Sequence, residues 1–231
     1  MSKKLIVIPT YNESENIENL IDQLSPTDCH ILVVDDSSPD NTGKLVKSHK
    51  LFNKRLYLIE RSENRGYAPS CIEGMNYGIK NQYSNIIQMD ADFSHSPDDL
   101  LKMLSYSQDY DLVIGSRYIN GGATSGWGLG RILLSKIANL FANKYLKFSV
   151  KDSTSGFRIY KTEVLQKIDF TKFKSEGYGF LVQILFTLSK NKISIKEVPI
   201  HFNDRKFGTS KMDLSIIIEA IKLVILLRLK P

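Results

Sequence analysis

Residues 85–97 read NIIQMDADFSHSP, and they place two carboxylates directly after an apolar run. The run at residues 86–89, bounded by polar residues, is typical of a short buried strand. In an extended chain Asp90 and Asp92 point to the same side. Two like charges in that position repel each other unless water or a cation screens them. Taken alone, the stretch is equally consistent with a solvated acid pair that caps the next helix.

The N-terminal half of the chain alternates strand-like runs with helical spacing. Further apolar runs predict buried strands at residues 5–8, 30–34, 56–59 and 111–115. After the first run, the i, i+3, i+4, i+7 spacing of one helical face is formed by Ile17, Leu20, Ile21 and Leu24. Asn12 and Ser14 are both candidate N-caps of that helix. Strands that alternate with helices predict a mostly parallel, doubly wound sheet with helices on both faces.

The predicted strands end in polar residues, which should meet at one edge of the sheet. Open α/β sheets bind their ligands at the carboxyl ends of the strands. That edge would bring together residues 10–13, 35–36 and 90–92. Acids so placed repel unless they hold a cation or accept hydrogen bonds from a base or ribose. Two carboxylates suit a hard cation such as Mg²⁺ or Mn²⁺, which keeps several waters and shares phosphate oxygens of a substrate.

The second half of the sequence is less regular. The glycine-rich residues 120–130 predict a mobile loop rather than a packed element. A helix is predicted from Arg131 to about Leu146, with an inward apolar face formed by Ile132, Leu133, Ile137, Leu140 and Phe141. A strand at 158–160, a helix at 180–188 and a half-buried strand at 193–198 follow.

The tail, LSIIIEAIKLVILLRLKP, is apolar but interrupted by Glu219, Lys222 and Arg228. Two interpretations stay open: a helix packed on the core, or an amphipathic helix in a membrane interface, which the apolar density and basic end favour. The chain has no run of about 18 uncharged apolar residues, so we expect no complete transmembrane helix. The N-terminal MSKKLIVIP is too short for a signal peptide.

Composition narrows the classes of function. The net charge of +6 and a pI near 9.1 suit phosphate-bearing ligands or an anionic membrane face. The basic residues are scattered and no aromatic-basic recognition motif occurs, which argues against a nucleic-acid binder. No G-x-G-x-x-G follows the first strand, which argues against a dinucleotide-dependent dehydrogenase. Cys29 and Cys71 lack metal-ligand spacing and predict free thiols in a reducing compartment.

Taken together, the motifs resemble those of family-2 glycosyltransferases, and more narrowly the dolichol-phosphate (polyprenol-phosphate) mannose synthases. In chain order they are PTYNESENI, VVDDSSPDNT, MDADFSHSP, GSRYINGG, DSTSGFRIY, EGYGF and EVPIHFNDRKFGTSK. The resemblance spans residues 6–211, and GSRY with DRKFGTSK is its most specific part. It implies a GT-A fold for residues 1–211, with 212–231 as a separate apolar helix. It also implies metal-assisted transfer from a nucleotide sugar with inversion at the anomeric carbon.

The resemblance implies a role for each matching residue on the nucleotide side. The base and ribose pocket would be lined by Pro9, Tyr11, Glu13, Val34 and Asp36. The nucleotide sugar would contact Asp90 and Ala91, and Asp90 and Asp92 would hold the Mg²⁺ or Mn²⁺ that bridges the diphosphate. A bound cation neutralises the charge that builds on the leaving diphosphate. The two aspartates therefore need no proton-transfer role.

The implied acceptor is a polyprenol or dolichol phosphate, which is already anionic and needs no general base. Cations must hold it beside a second anionic substrate. The candidates are Arg117, Arg131, Arg205 and Lys211, and Ser135, one turn beyond Arg131, would add a hydroxyl. Such an acceptor implies peripheral attachment to the cytoplasmic face of a membrane, either directly or through a small membrane subunit. That membrane would be the endoplasmic reticulum in a eukaryote and the plasma membrane in a prokaryote.

Three departures from the family pattern leave the donor sugar open. Gln183 replaces a glutamate that would lie near the sugar or acceptor phosphate, and residues 67–70 replace a Gly/Thr-Ala pattern. Ser94 stands where some relatives place a glutamine metal ligand. The leading expectation is mannose from GDP-mannose. The alternatives are a glucose or N-acetylhexosamine donor on UDP, and a sugar-nucleotide binding protein without catalysis.

Overall fold

The computed structural model describes residues 3–173, 177, 179–204 and 214–229, the last range as backbone only up to residue 220. Its strands are β1 (Lys4–Thr10), β2 (His30–Asp35), β3 (Leu56–Glu60), β4 (Asn85–Gln88), β5 (Leu112–Ser116), β6 (Ala123–Ser125), β7 (Arg158–Lys161), β8 (Ile195–Pro199) and β9 (His201–Asn203). Its helices are α1 (Ile17–Leu24), α2 (Thr42–Ser48), α3 (Tyr67–Lys80), α4 (Pro97–Leu104), α5 (Leu129–Leu146), α6 (Thr162–Leu165), α7 (Gly179–Ser189) and α8 (Leu214–Leu229).

The central sheet has seven strands in the order β3-β2-β1-β4-β7-β5-β8. Only β7 runs antiparallel to its neighbours, and the other pairs are parallel. Helices α1, α2 and α4 bury apolar residues on one face of the sheet, and α3, α6 and α7 do so on the other. The predicted mostly parallel GT-A-type sheet with helices on both faces is therefore confirmed.

Helix α1 buries its predicted face completely, because Ile17, Leu20, Ile21 and Leu24 have no exposed surface. The predicted caps were wrong, since the N-cap is Asn16. Asn12 adopts a positive φ of 60°, and the backbone N–H of Ser14 donates to Asp40 Oδ2. These residues are therefore held against the loop after β2, and the helix starts later.

Part of the glycine-rich segment forms a strand, where the sequence predicted only a mobile loop. Its residues 123–125 form β6, which pairs with β9 in a separate two-stranded sheet. A Cβ atom on Gly122 would lie 2.5 Å from the carbonyl oxygen of Ser116. Glycine is required here for a close backbone approach, which the sequence pattern does not distinguish from mobility.

The predicted orientation of α5 was wrong. The helix begins at Leu129 rather than Arg131, and the fully buried residues on it are Asn139, Ala142 and Leu146. Leu133, Ile137 and Leu140 are exposed, and Ile132 and Phe141 are only partly buried. Hydrogen bonds from Asn139 to the turn at residues 153–154 fix this rotation of the helix.

The tail forms α8, which packs against α5 and α7 and buries Leu223 and Val224. Ile221 and Ile225 are exposed beside Lys222, so the division into one apolar and one polar side that an amphipathic helix requires is not confirmed. Among the described helices, none combines the length and apolar character that crossing a membrane requires.

Candidate active site

The chain order of the strands creates a crevice between β1 and β4. The chain runs outward from β1 through β2 to β3 and then returns to the other side of β1 as β4. Ligands of open α/β sheets bind at such a switch point, outside the carboxyl ends of the strands. A cavity of about 510 Å³ lies at this point, lined by Pro9, Thr10, Tyr11, Glu13, Asp36, Arg65, Gly66, Tyr67, Ser70, Asp90, Ala91, Asp92 and Gly177.

The two acids that follow each other at the end of β2 have different surroundings. Asp35 is buried and accepts hydrogen bonds from the hydroxyls of Thr10 and Ser38 at 2.8 and 2.6 Å. Asp36 lines the cavity, but its carboxylate accepts hydrogen bonds from Arg61 Nη1 and the backbone N–H of Gly66, each at 2.7 Å. Asp36 therefore also ties the loop after β3 to the cavity wall.

The other residues assigned to the base and ribose differ in their access to the cavity. Pro9, Tyr11 and Glu13 line it, and Tyr11 is exposed. Val34 does not, because its side chain is completely buried in the core cluster that packs against α3. Any contribution of Val34 to a nucleotide is therefore limited to its backbone.

The Asp90–Asp92 pair lies on the cavity wall after β4. Asp90 is partly exposed and accepts a hydrogen bond from the Tyr67 hydroxyl at 3.3 Å. Asp92 is nearly buried and accepts one from the backbone N–H of Ser94 at 3.1 Å. Both carboxylates face the same cavity, as the i, i+2 spacing predicted.

His95 holds the turn that carries the two aspartates, and the sequence pattern did not single it out. Its Nδ1 accepts the backbone N–H of Asp90 at 3.0 Å, which leaves the ring proton on Nε2. Its ring is fully buried and stacks on Phe157 at 4.7 Å. Burial lowers the pKa of His95 to about 4, so the ring is neutral at physiological pH.

Tyr67 ends a chain of hydrogen bonds that begins inside the core. The Tyr160 hydroxyl donates to Gln88 Oε1, and Gln88 Nε2 donates to the Tyr67 oxygen at 2.9 Å. The Tyr67 hydroxyl in turn faces Asp90. Tyr67 therefore connects Asp90 to the buried polar groups of Gln88 and Tyr160.

The donor set at the cavity suits a hard divalent cation. In the part of the chain that the structure describes, no three His, Cys, Asp or Glu side chains form a metal-binding group. Asp90 and Asp92 alone would leave most coordination positions to water and substrate oxygens, as Mg²⁺ prefers. The buried hydroxyl of Ser94, next in the loop, makes no hydrogen bond with any described residue.

Arg117 follows β5 and is nearly buried. Its Nε and Nη2 donate to the two oxygens of Asp152 at 2.8 and 2.7 Å, and Nη2 also donates to Thr154 Oγ1. Burial alone would raise the pKa of Asp152, but the charge and hydrogen bonds of Arg117 outweigh it and lower that pKa. Arg117 Nη1 makes no hydrogen bond within the described residues, so this atom can still meet a ligand.

Two buried donors lie beside Arg117 without a described acceptor. The guanidinium of Arg131 lies 4.1 Å from the ring centroid of Trp127, and Arg117 lies 5.5 Å from the same ring. Arg131 Nη1 pairs with Asp204 at 3.1 Å, whereas Arg131 Nε and Trp127 Nε1 are buried and bond to no described residue. Buried polar groups are normally paired, so donors left in this way indicate a place for an anionic ligand.

The nucleotide side and the Arg117 side of the site meet at Phe202. Its ring lies 5.6 Å from the His95 ring, 5.2 Å from the Trp127 ring and 5.4 Å from the Arg117 guanidinium. On the Arg117 side, Ser135 accepts a hydrogen bond from the Tyr118 hydroxyl at 2.7 Å. The residues around Arg117 therefore adjoin the turn that carries Asp90 and Asp92.

Three further residues that the sequence singled out, two as site residues and Gln183 as a departure from the family pattern, are not among the described residues that line the cavity. Arg205 and Lys211 lie outside the described residues. Gln183 is buried on α7, does not line the cavity, and donates to the backbone oxygen of Lys172 at 3.4 Å. Trp127 was not among the predicted site residues. Its position in the sequence between the GSRY motif and Arg131 could have indicated that it lies near the site.

Residues 5–169 match the model of the family described as Glycosyl transferase family 2. The chain belongs to glycosyl transferase family 2. Two named relatives in this family are similar over nearly all of the chain. The polyprenol monophosphomannose synthase of Mycolicibacterium smegmatis is 39% identical over 223 residues, which are 95% of this chain and 84% of that protein. The undecaprenyl-phosphate mannosyltransferase of Micrococcus luteus is 35% identical over 219 residues, 94% of this chain and 90% of that protein.

Solved structures show the same fold at lower identity. The glucosyl-3-phosphoglycerate synthase of Mycobacterium tuberculosis with phosphoglyceric acid has a TM-score of 0.71 at 17% identity, covering 100% of this chain and 81% of that one. Its complex with Mn²⁺, uridine diphosphate and glucosyl-3-phosphoglycerate has a TM-score of 0.69 at 18% identity, covering 99% and 79%. Similarity at this identity supports the GT-A architecture.

Proposed function

We propose that this protein is an inverting glycosyltransferase that moves mannose from GDP-mannose to a polyprenyl phosphate, using Mg²⁺ or Mn²⁺. The names of the two relatives with 39% and 35% identity support the reaction class and the acceptor. The Mn²⁺ in the structurally similar synthase supports a divalent cation in this fold. A fold match alone does not identify the donor: the names of the two relatives support mannose as the sugar, and GDP as its carrier rests on the resemblance of the sequence motifs.

The observation that carries the proposal is one cleft with two places for phosphate groups. One would bind them through a cation and the other through hydrogen-bond donors. The Asp90–Asp92 pair faces the cavity at the switch point and suits a cation bound to a diphosphate. Across Phe202, the unpaired donors of Arg131 and Trp127 lie beside Arg117 and suit a phosphate. A sugar-nucleotide binding protein without catalysis would have no need of the second site.

On the nucleotide side, Asp90 and Asp92 would hold the cation. When bound, the cation neutralises charge on the leaving diphosphate. Tyr67 and His95 keep Asp90 in place through its carboxylate and its backbone N–H. Tyr11 lies at the exposed side of the cavity, where it can cover the bound nucleoside. Pre-positioned groups of this kind lower the barrier without moving a proton.

On the acceptor side, Arg117, Arg131 and Trp127 orient the lipid phosphate. One phosphate oxygen attacks the anomeric carbon as the bond from that carbon to the diphosphate oxygen breaks, with inversion. The acceptor is already ionised near neutral pH, so no residue acts as a general base. The Asp152 carboxylate keeps Arg117 fixed. Arg131 Nε and Trp127 Nε1 donate hydrogen bonds to the phosphate. We further propose that the protein works while attached peripherally to the cytoplasmic face of a membrane.

The direct test offers several donors at once. Purified protein, Mn²⁺ and a detergent-dispersed polyprenyl phosphate would be mixed with GDP-mannose, UDP-glucose and UDP-N-acetylglucosamine, each carrying a distinct isotope. Mass spectrometry of the lipid product identifies the sugar transferred. The proposal predicts a mannosyl-phosphate lipid. A product from a UDP sugar would overturn the donor, and no lipid product with any donor would overturn the transfer reaction.

A further inference from the structure

Arg65 lies at the rim of the nucleotide cavity, and the sequence pattern did not single it out. It belongs to the loop at residues 61–66 between β3 and α3, and it lines the cavity beside Tyr11 and Asp36. Its Nη1 donates to the backbone oxygen of Asp36 at 3.3 Å. Its Nε and Nη2 form no hydrogen bond with a residue that the structure describes. One edge of this exposed guanidinium, with two parallel N–H groups, is therefore open to a ligand.

Hydrogen bonds on both sides of Arg65 hold its loop against the cavity wall. Before it, Arg61 Nη1 donates to Asp36 Oδ1 at 2.7 Å and to Ser70 Oγ at 2.6 Å. After it, the backbone N–H of Gly66 donates to Asp36 Oδ2 at 2.7 Å. Gly66 has a φ of 137°, a backbone conformation that favours glycine. The loop is therefore fixed before a ligand binds, which lowers the entropy cost of a contact with Arg65.

The place of Arg65 in the sheet corresponds to the base end of a bound nucleotide. Asp90 and Asp92, which would hold the cation at the diphosphate, follow β4, whereas Asp36 follows β2. Strand β1 lies between β2 and β4. Neighbouring strands are about 4.8 Å apart, so the two ends of the cavity are separated by roughly 10 Å. A nucleotide whose phosphates lie at the cation therefore extends its base toward Arg65.

The open edge of Arg65 matches one base better than the others. Guanine presents two neighbouring acceptors, O6 and N7, and arginine binds this pair with two parallel hydrogen bonds. Adenine has an amino donor in place of O6, and uracil, like thymine, offers only O4 on this edge. A base that lacks one acceptor leaves an N–H of the arginine without a partner, which lowers its affinity.

We propose that Arg65 binds the base of the donor nucleotide, with Nε and Nη2 donating to O6 and N7 of guanine. The proposal rests on the proposed function, whose donor is GDP-mannose, and deepens it by naming a residue that makes the protein prefer GDP to UDP. Asp36 and Arg61 act on the base through Arg65, because they hold its loop in place. They are positioning residues for this contact.

The test measures nucleotide binding rather than sugar transfer. Isothermal titration calorimetry in Mn²⁺ compares GDP, UDP and 7-deaza-GDP, in which a carbon replaces N7. The proteins are wild type, R65M, R65K and the control R228M, because Arg228 is an exposed arginine that does not line the cavity. We expect wild type and R228M to bind GDP about 10-fold or more tightly than either of the other nucleotides. R65M should bind all three with similar affinity and keep the melting temperature of wild type.

The variant R65K separates binding of the base from attraction of the phosphates. Lysine keeps the positive charge but lacks the planar pair of N–H groups. If Arg65 binds guanine, R65K should lose the preference for GDP over 7-deaza-GDP, as R65M does. If R65M instead weakens all three nucleotides equally and R65K restores them, Arg65 contacts the diphosphate and the proposal is overturned. A preference for GDP that R65M retains also overturns it.

The same measurements keep this proposal distinct from the proposed function. If wild type prefers UDP, GDP-mannose is wrong as the donor, and the role of Arg65 toward guanine is wrong with it. If wild type prefers GDP and R65M keeps that preference, only the role of Arg65 is wrong. If R65M loses the preference but wild type transfers no sugar to a polyprenyl phosphate, Arg65 keeps its role and the proposed reaction fails.

Discussion

Helices α1 and α5 carry apolar residues at the same kind of spacing, yet only α1 turns them inward. Its apolar residues have no exposed surface, whereas the outer stripe of α5, formed by Leu129, Leu133, Ile137 and Leu140, is more than half exposed at every position. Both helices pack on the same molecule, so helical propensity does not explain the difference. The difference lies in the partners of the opposite, polar face.

The polar side chains of α1 face water, where Asn19 and Gln23 bond to each other. Those of α5 face a turn whose hydroxyls and carbonyls need partners, and Asn139 supplies them while it is itself buried. Periodicity therefore identifies the apolar stripe of a helix, but it does not identify the medium that the stripe contacts. That medium depends on where the buried hydrogen bonds of the helix are made.

The largest contrast should come from truncating one leucine on each helix. Leu20→Ala on α1 creates a cavity in a closed core and should lower the free energy of unfolding by about 2–5 kcal/mol. Leu140→Ala on α5 removes an exposed side chain and should change it by no more than about 0.5 kcal/mol. Urea unfolding in detergent-free buffer measures both. Similar losses for the two variants would mean that the outer stripe of α5 is buried in solution.

Substitutions on the polar faces should affect the free energy of unfolding in the opposite order, with the larger loss on α5. Asn139→Ala leaves the Ser153 hydroxyl without its acceptor inside the protein and should cost about 1–3 kcal/mol of unfolding free energy. Asn19→Ala, on the solvent face of α1, should cost no more than about 0.5 kcal/mol. The same denaturation series gives both values. A neutral Asn139→Ala would mean that the hydrogen bonds of Asn139 do not set the orientation of α5.

The next effect concerns the donors at the start of α5. Trp127→Phe keeps a ring beside Arg131 and Arg117 but removes the indole N–H, so under the proposed function the lipid phosphate would lose one hydrogen bond. The KM for the acceptor should rise about 10-fold, as for a hydrogen bond to a charged group, while the KM for the nucleotide sugar stays unchanged. Steady-state kinetics with each substrate varied in turn separates the two. A rise in the donor KM alone would move Trp127 to the other side of the cleft.

The smallest effect is expected on the nucleotide wall, at the N-terminus of α3. Tyr67→Phe removes the hydroxyl that faces Asp90 but keeps the packing of the ring. The apparent affinity for Mn²⁺ should fall about 3-fold, because the hydrogen bond to the Asp90 carboxylate is long at 3.3 Å, with thermal stability unchanged. Titration of Mn²⁺ in the presence of GDP measures this, and GDP binding without metal serves as the control. Unchanged Mn²⁺ affinity would make Tyr67 a packing residue.

The parts of the molecule that follow from local patterns could be predicted from the sequence. The strand runs, the helical face of α1 and the polar strand ends predicted the sheet and the meeting of Asp36, Asp90 and Asp92 at one cavity. The orientation of α5 could not be predicted, because it depends on a hydrogen bond between Asn139 and a turn 14 or 15 residues away. Trp127 was missed for a similar reason: only the folded chain reveals that its N–H is buried without an acceptor.

The measurement that tests the account most directly is the Mn²⁺ dependence of sugar transfer by wild type and Asp92→Asn. Asparagine has nearly the shape of aspartate but lacks its charge, so the fold and the nucleotide cavity should survive. The account predicts that wild type is inactive in EDTA and recovers on addition of Mn²⁺. It also predicts that Asp92→Asn loses transfer about 100-fold or more while still binding GDP. Full transfer by wild type in EDTA, or by Asp92→Asn with Mn²⁺, would contradict a metal held by Asp90 and Asp92.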